Sequence, residues 1–251
     1  MSLDYPLDKN LDFELKDSLD SVQRFAAEAG FLPTDLSGLL AWYDAQYTDS
    51  ITLVGGYVSQ WDDRSGNDYH ATQGIAAYRF EYLTNHAPAN GYNALRSDAS
   101  ESTSTADSMD TPDIGLCRKV YVVAAYEDGT QSNVLTFGRL FRNKTDINVT
   151  VALSSFNEAF FFTSSRVEEL KINGFEYGSD AYQVPLPLSV IEVTFISPGY
   201  SDGFYLGGYG SSSSWHGPLG EFIFTDGTES AEEATQLRDY LYNKWGITPP
   251  A

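Results

Sequence analysis

The stretch "GGYVSQWDDRSGNDYHATQ", residues 55–73, sets a tryptophan, three aspartates, an arginine and a histidine around Ser65-Gly66-Asn67. It can be read in two ways. As a charge constellation it would be a catalytic or cation-binding centre. As fold grammar it is a strand, a tight turn and another strand. The residues on either side of it decide between the two.

Downstream and upstream the texture is β. From Leu36 onward, "LLAWYDA", "ITLVGGYVSQW", "KVYVVAAYE", "NVLTFG", "INVTVAL", "EAFFFTS", "LSVIEVTFIS", "FYLGGY" and "LGEFIFTD" are short apolar or alternating runs separated by Gly, Asn, Asp, Ser and Pro. In "SVIEVTFI", Val190, Glu192 and Thr194 fall on one face and Ile191, Val193 and Phe195 on the other, the pattern of an amphipathic strand. Such runs without intervening helices predict two packed antiparallel sheets. Seventeen tyrosines and 15 phenylalanines against two methionines agree with strands. The segment 85–115, "NHAPANGYNALRSDASESTSTADSMDTPDIG", reads as a long polar surface excursion.

Helices are expected only outside this β region. "DSLDSVQRFAAEAGFLP" reads as one helix, capped by Asp17 or Ser18 and stopped by Gly30 and Pro33. Leu15, Leu19, Val22 and Phe25 lie on its apolar stripe, which either packs on its own domain or docks on a partner. At the other end, Ser230 and Glu233 form a capping box for a helix that Gly246 ends. Ala234, Leu237, Leu241 and either Lys244 or Trp245 mark its buried stripe, and Lys244 suits the negative end of the helix dipole.

Composition removes several function classes. The formal net charge is −20, from 35 acidic and 15 basic residues. Nucleic acid, which requires a basic stripe, is not an expected partner, and neither is an anionic membrane surface. No apolar run reaches membrane-spanning length. The opening residues "MSLDYPLDKNLD" lack the basic and apolar regions of a secretory signal, so action outside a cell would call for lysis or assembly into a particle. The single cysteine, Cys117, permits no intrachain disulfide and reads as a small buried hydrophobe.

Three stretches together carry a resemblance: "LSGLLAWYDA" (36–45), "VSQWDDRSGNDYHATQ" (58–73) and "WHGPLGEFIFTDGTESAEEATQLRDYLYNKWGI" (215–247). In this order they resemble the concanavalin A-like lectin/glucanase superfamily, and within it the laminin-G-like jelly roll of phage tail, fibre and adhesin proteins. The resemblance implies an all-β antiparallel jelly-roll sandwich over residues 36–251, with residues 1–35 as a helical arm outside it. It also implies that residues 61–73 are a structural strand, turn and strand. Trp61 then belongs to the core, Asp62 or Asp63 bonds the turn amides, and Gly66 supplies a positive φ. Asp62, Asp63 and Asp68 could converge on a hard cation, but their spacing is not that of an EF-hand loop, and no metal is expected.

Catalysis is not expected either. The superfamily's glucanases present Glu-x-Asp-x-(x)-Glu along one strand, and no such array occurs here. Glu168, Glu169 and Glu176 sit around an Asn173-Gly174 hairpin turn, Glu192 stands singly, and Glu221 matches a scaffold position. His70, His86 and His216 lie in turns or loops without a G-x-S-x-G elbow. Sugar binding asks for less: aromatic faces and a few polar groups. Tyr92, Tyr200, Asp202, Tyr209 and Trp215 are the candidate carbohydrate-binding residues, Trp215 having a core role as its alternative. Strand aromatics such as Tyr205 and Phe222 are expected in the core. The sequons 143–145 and 148–150 are expected to be accidental.

The resulting expectation is a non-enzymatic surface protein of a virion or similar particle, an adhesin for host-surface carbohydrate that works without a cofactor. The helix bearing Leu15, Leu19, Val22 and Phe25 would seat it on other particle proteins, with a homotrimer as one arrangement. Two alternatives remain: a decoration protein that binds no sugar, and a polysaccharide-cleaving glycosidase.

Overall fold

The computed structural model describes residues 30–97, 107–126, 138–146, 149–154, 160–163, 165–177, 186–196, 199–208 and 214–248. The stripe residues Leu15, Leu19, Val22 and Phe25 lie outside them, as does Tyr209. Sixteen strands are described: β1 (Leu39–Asp44), β2 (Ile51–Val54), β3 (Tyr57–Trp61), β4 (Ala71–Thr72), β5 (Glu81–His86), β6 (Tyr92–Arg96), β7 (Met109–Asp110), β8 (Lys119–Tyr126), β9 (Gly138–Asn143), β10 (Thr150–Ser154), β11 (Phe160–Thr163), β12 (Val167–Ile172), β13 (Phe175–Glu176), β14 (Leu186–Phe195), β15 (Phe204–Leu206) and β16 (Pro218–Thr225). One α-helix, Ala231–Trp245, is described.

Among the described residues every strand pairing is antiparallel, and the ladder runs β11-β10-β9-β15-β7-β4-β3-β5-β6-β16-β8-β14-β12-β13, with β1 on β16 and β2 on β3. Strand periodicity explains how the ladder packs. In β8, Val120, Val122 and Ala124 enter one apolar cluster while Tyr121, Val123 and Ala125 enter a second. The first cluster also takes Trp61, Met109, Phe141, Val151, Phe204 and Leu206 from the β10-to-β3 part of the ladder, so the two halves share one interior. The second holds Leu237, Tyr240, Leu241 and Trp245 of the helix, with Phe31 and Leu36 beside them. The chain is thus mostly antiparallel β, in an arrangement compatible with a jelly-roll sandwich.

The helix starts and stops where its caps dictate. Ser230 Oγ accepts the Glu233 amide at 3.2 Å, and the Ser230 amide donates to Glu233 Oε2 at 2.6 Å. Glu233 Oε1 also accepts the Ser37 amide at 2.8 Å, which ties the cap to the chain entering β1. Gly246 ends the helix in the left-handed region at φ 59°.

The 61–73 turn turns out to cover a sheet edge. β1 pairs with β16 on one side. On its other side, the Trp42 amide donates to Asp63 Oδ1 at 2.8 Å and the Arg64 amide donates to the Trp42 carbonyl at 2.8 Å. Asn67 Nδ2 donates to the Leu40 carbonyl at 2.9 Å, and Ser65 Oγ, whose proton goes to Asp63 Oδ2 at 2.7 Å, lies 3.2 Å from the same carbonyl. Asp63 is the hub: it also accepts the amides of Ser65 and Tyr69 and the Ser65 hydroxyl. Side chains here take the place of a neighbouring strand, which removes the hazard of an open edge. Trp61 is fully buried, and Gly66 has φ 92°.

One expectation needs correcting. The segment 85–115 is not all surface excursion: β6 pairs with β5 and β16, and β7 pairs with β15 and β4. Its polar residues conceal two short strands, of which Leu95 and Met109 enter the first apolar cluster. The face of β14 that carries Glu192 is covered by the helix. Glu192 is 9% exposed, because Arg238 of the helix lies over it, Nη1 donating to Oε2 at 3.2 Å.

Candidate functional site: a polar row across the outer sheet face

Paired carboxylates are the usual equipment for cleaving a glycosidic bond. Asp44 and Glu221 are opposite one another in the β1–β16 register, and both are 0% exposed. Lys244 lies between them, Nζ donating to Asp44 Oδ2, to Glu221 Oε2 at 2.7 Å and to the Tyr240 hydroxyl at 2.9 Å. Glu221 Oε1 also accepts Trp42 Nε1 at 2.7 Å and the Tyr240 hydroxyl at 3.3 Å, and Oε2 accepts Trp245 Nε1 at 2.7 Å. Burial and the Asp44 charge push the Glu221 carboxyl up to about 7, against the pull of Lys244. Its oxygens are fully engaged by the helix and by β1, so this pair fastens the helix to the sheet. Lys244 therefore serves the cluster, and both Lys244 and Trp245 are buried, where the helical spacing had left a choice.

A second constellation arises from strand register alone. Thr52, Gln60, Thr72, Asp110, Tyr205, Arg142 and Thr150 are successive cross-strand partners over β2, β3, β4, β7, β15, β9 and β10. Their chain neighbours Trp61, Ala71, Met109, Phe204, Leu206, Phe141 and Val151 are all 0% exposed in the first cluster. Because successive side chains point to opposite faces, the polar row stands on the outer face of this sheet. With neighbouring strands about 4.8 Å apart, its seven positions span roughly 29 Å.

Access differs along the row. Arg142 and Thr150 are buried, Tyr205, Asp110 and Gln60 are half-buried, and Thr72 and Thr52 are exposed. Lys144, half-buried, places Nζ 5.6 Å from the centre of the Tyr205 ring. On the other side of that ring, partial burial raises the Asp110 carboxyl and Lys144 pulls it back. The centre of the row is therefore an aromatic ring between a cation and a carboxylate, continued by amide and hydroxyl groups. That combination can stack against a sugar face and hydrogen-bond its hydroxyls. The expectation that Tyr205 is core is corrected here: Phe204 and Leu206 face inward, so Tyr205 faces out.

The described residues among those singled out from sequence do not form one site. Tyr200 and Asp202 share the loop that leads into β15. Tyr200 is half-buried, its ring 5.6 Å from Phe195 and its backbone paired with Cys117. Gly199, at φ 102°, permits this approach, since a Cβ there would lie 2.4 Å from the Cys117 carbonyl oxygen. Asp202 is exposed, accepts the Thr145 hydroxyl at 3.0 Å and donates its amide to Asp113 Oδ1 at 3.3 Å. Asn143 holds the loop through Nδ2, which donates to the Ser201 and Gly203 carbonyls. Asn143 is 1% exposed, so the sequon at 143–145 offers no acceptor at the surface. Trp215 is 0% exposed, with Nε1 donating to the Ala125 carbonyl at 2.8 Å and its ring against Tyr126, and so is an interior residue. Tyr92 packs on the other side of the molecule, against Trp245 at 5.4 Å.

The sequence carries a partial signal for the row. "FYL" (204–206) has the polar-capable aromatic at the outward parity of a strand, but which strands flank it is not encoded locally. Among the described residues, no group of three or more His, Cys, Asp or Glu side chains could hold a metal ion. Comparison with known proteins finds no family model that matches the chain and no curated protein similar to it.

Proposed function

We propose that the protein is a non-enzymatic carbohydrate-binding module of a virion or similar particle, a jelly roll of the concanavalin A-like kind that attaches the particle to surface glycans. The row centred on Tyr205 carries this proposal: a half-buried aromatic flanked by Lys144 and Asp110 and extended by Thr72 and Gln60. The loop with Tyr200 and Asp202 borders it through β15. The resemblance of residues 36–45, 58–73 and 215–247 to that superfamily supports the same reading. So does the commitment of Asp44 and Glu221 to holding the helix. Single sugar sites are weak, and many copies on one particle raise avidity.

A glycan array probed with the full chain on a multivalent carrier tests this. Bound glycans should be lost with Tyr205→Ala, by about tenfold or more in affinity, the size expected for a central aromatic anchor. Tyr205→Phe should retain most binding, and both variants should keep the parent's thermal midpoint. No signal across bacterial and animal glycans would favour a decoration protein. Release of reducing ends from a bound polysaccharide would favour a glycosidase.

A further inference from the structure

We propose that the saccharide taken by this face is acidic, with its carboxylate toward β9 and its hydroxyls toward β7; this rests on the outer face being the glycan surface. The first observation is the distribution of charge. The chain has 35 acidic and 15 basic residues, yet residues 129–145 contain no Asp or Glu, while Arg139, Arg142 and Lys144 fall within six positions of one another. Register then places this strand directly beside Tyr205: Arg142, its cross-strand partner, is buried, and half-buried Lys144, which follows β9 with its Nζ near the ring, is the cation within reach of a ligand. The second observation is the polarity across the ring. Asp110, the partner of Tyr205 on the opposite side, is a carboxylate, which repels an anionic group and accepts hydroxyl protons.

A neutral sugar would gain little from this asymmetry. A uronate stacked on Tyr205 satisfies it in one orientation: its carboxylate receives a charge-assisted bond from Lys144, and its ring hydroxyls donate to Asp110. Because the row runs across the strands beyond Thr72 to Gln60 and Thr52, the ligand is an extended chain with several sugar units in contact. Like charges elsewhere on the −20 protein oppose the approach of an anionic polymer, so contact is confined to this face.

Calorimetric titration of the full chain with polygalacturonate, alginate and hyaluronate, against neutral dextran and against dextran sulfate, decides it. The expected result is binding to at least one of the three uronate polymers, not to dextran, weakening as salt rises. Lys144→Gln should weaken that binding by about tenfold, with Tyr205→Ala also weakening it and both folds intact by circular dichroism. Dextran binding that depends on Tyr205 but not on Lys144 would overturn the acidic ligand while leaving the glycan face standing. Equal binding of dextran sulfate and uronates, insensitive to Tyr205→Ala, would reduce the effect to bulk charge and overturn it. No binding to any of the three uronate polymers would overturn it as well, and the glycan array then judges the face separately.

Discussion

Replacing Lys244 by methionine tests how the helix is held on the sheet. Methionine keeps most of the unbranched stem, so the change removes the charge with little cavity. It leaves Asp44 and Glu221, both 0% exposed, without their shared cation. Removing one partner of a buried ion pair costs roughly 3–5 kcal/mol, because the remaining charge has neither water nor counter-ion. Here one ammonium serves two carboxylates, so the expected loss reaches the upper end of that range above neutrality, where both are charged, and is smaller where Glu221 takes up a proton. Urea unfolding followed by tryptophan fluorescence measures it, since Trp42 and Trp245 both donate to Glu221. The pH dependence gives a second readout. The folded Glu221 carboxyl is already raised to about 7, above its unfolded value, so the folded state binds that proton more tightly. Stability from this group is therefore full below the unfolded carboxylate range and is lost as pH rises toward 7. Without Lys244 the carboxyl rises further, and the window of loss extends above neutrality. A loss under about 1 kcal/mol, the same at acid and alkaline pH, would refute the reasoning, because an exposed pair such as Arg118–Glu168 is worth no more than that.

Two more outcomes follow from the caps and the covered edge. Asp63→Ala should cost about 3 kcal/mol in urea unfolding, since it strands the amides of Trp42, Ser65 and Tyr69 at once, whereas Asp62→Ala should fall well below that. Glu233 is held low, at about 2, chiefly by bonds to Ser230 and then to Ser37. Its contribution is present above the unfolded carboxylate range and lost as pH falls toward 2, so the thermal midpoint by circular dichroism should drop in that window for the parent and less for Glu233→Gln.

The sequence by itself determined what local periodicity and cap chemistry can specify. Short apolar runs picked out β8 and β16, alternation picked out β14, and the Ser230 and Glu233 pair with Gly246 set the bounds of the helix. The 61–73 stretch was legible as a turn for the same reason: short polar side chains and a glycine bond or bend the backbone within a few residues. Strands β6 and β7 were missed because they are short and polar, with alternation over too few positions to stand out from a loop.

What only the tertiary structure decided is the pairing of distant segments. Asp44 meets Lys244 across 200 positions of chain, and no spacing rule links them. The row from Thr52 to Thr150 exists because seven strands adopt one register, and a slip of a single residue in β15 would turn Tyr205 into the core and Phe204 outward. The inward alternation of each strand is written in its residues. Which polar side chains then stand next to one another on the other face depends on the strand order, which is fixed by burying the whole interior at once.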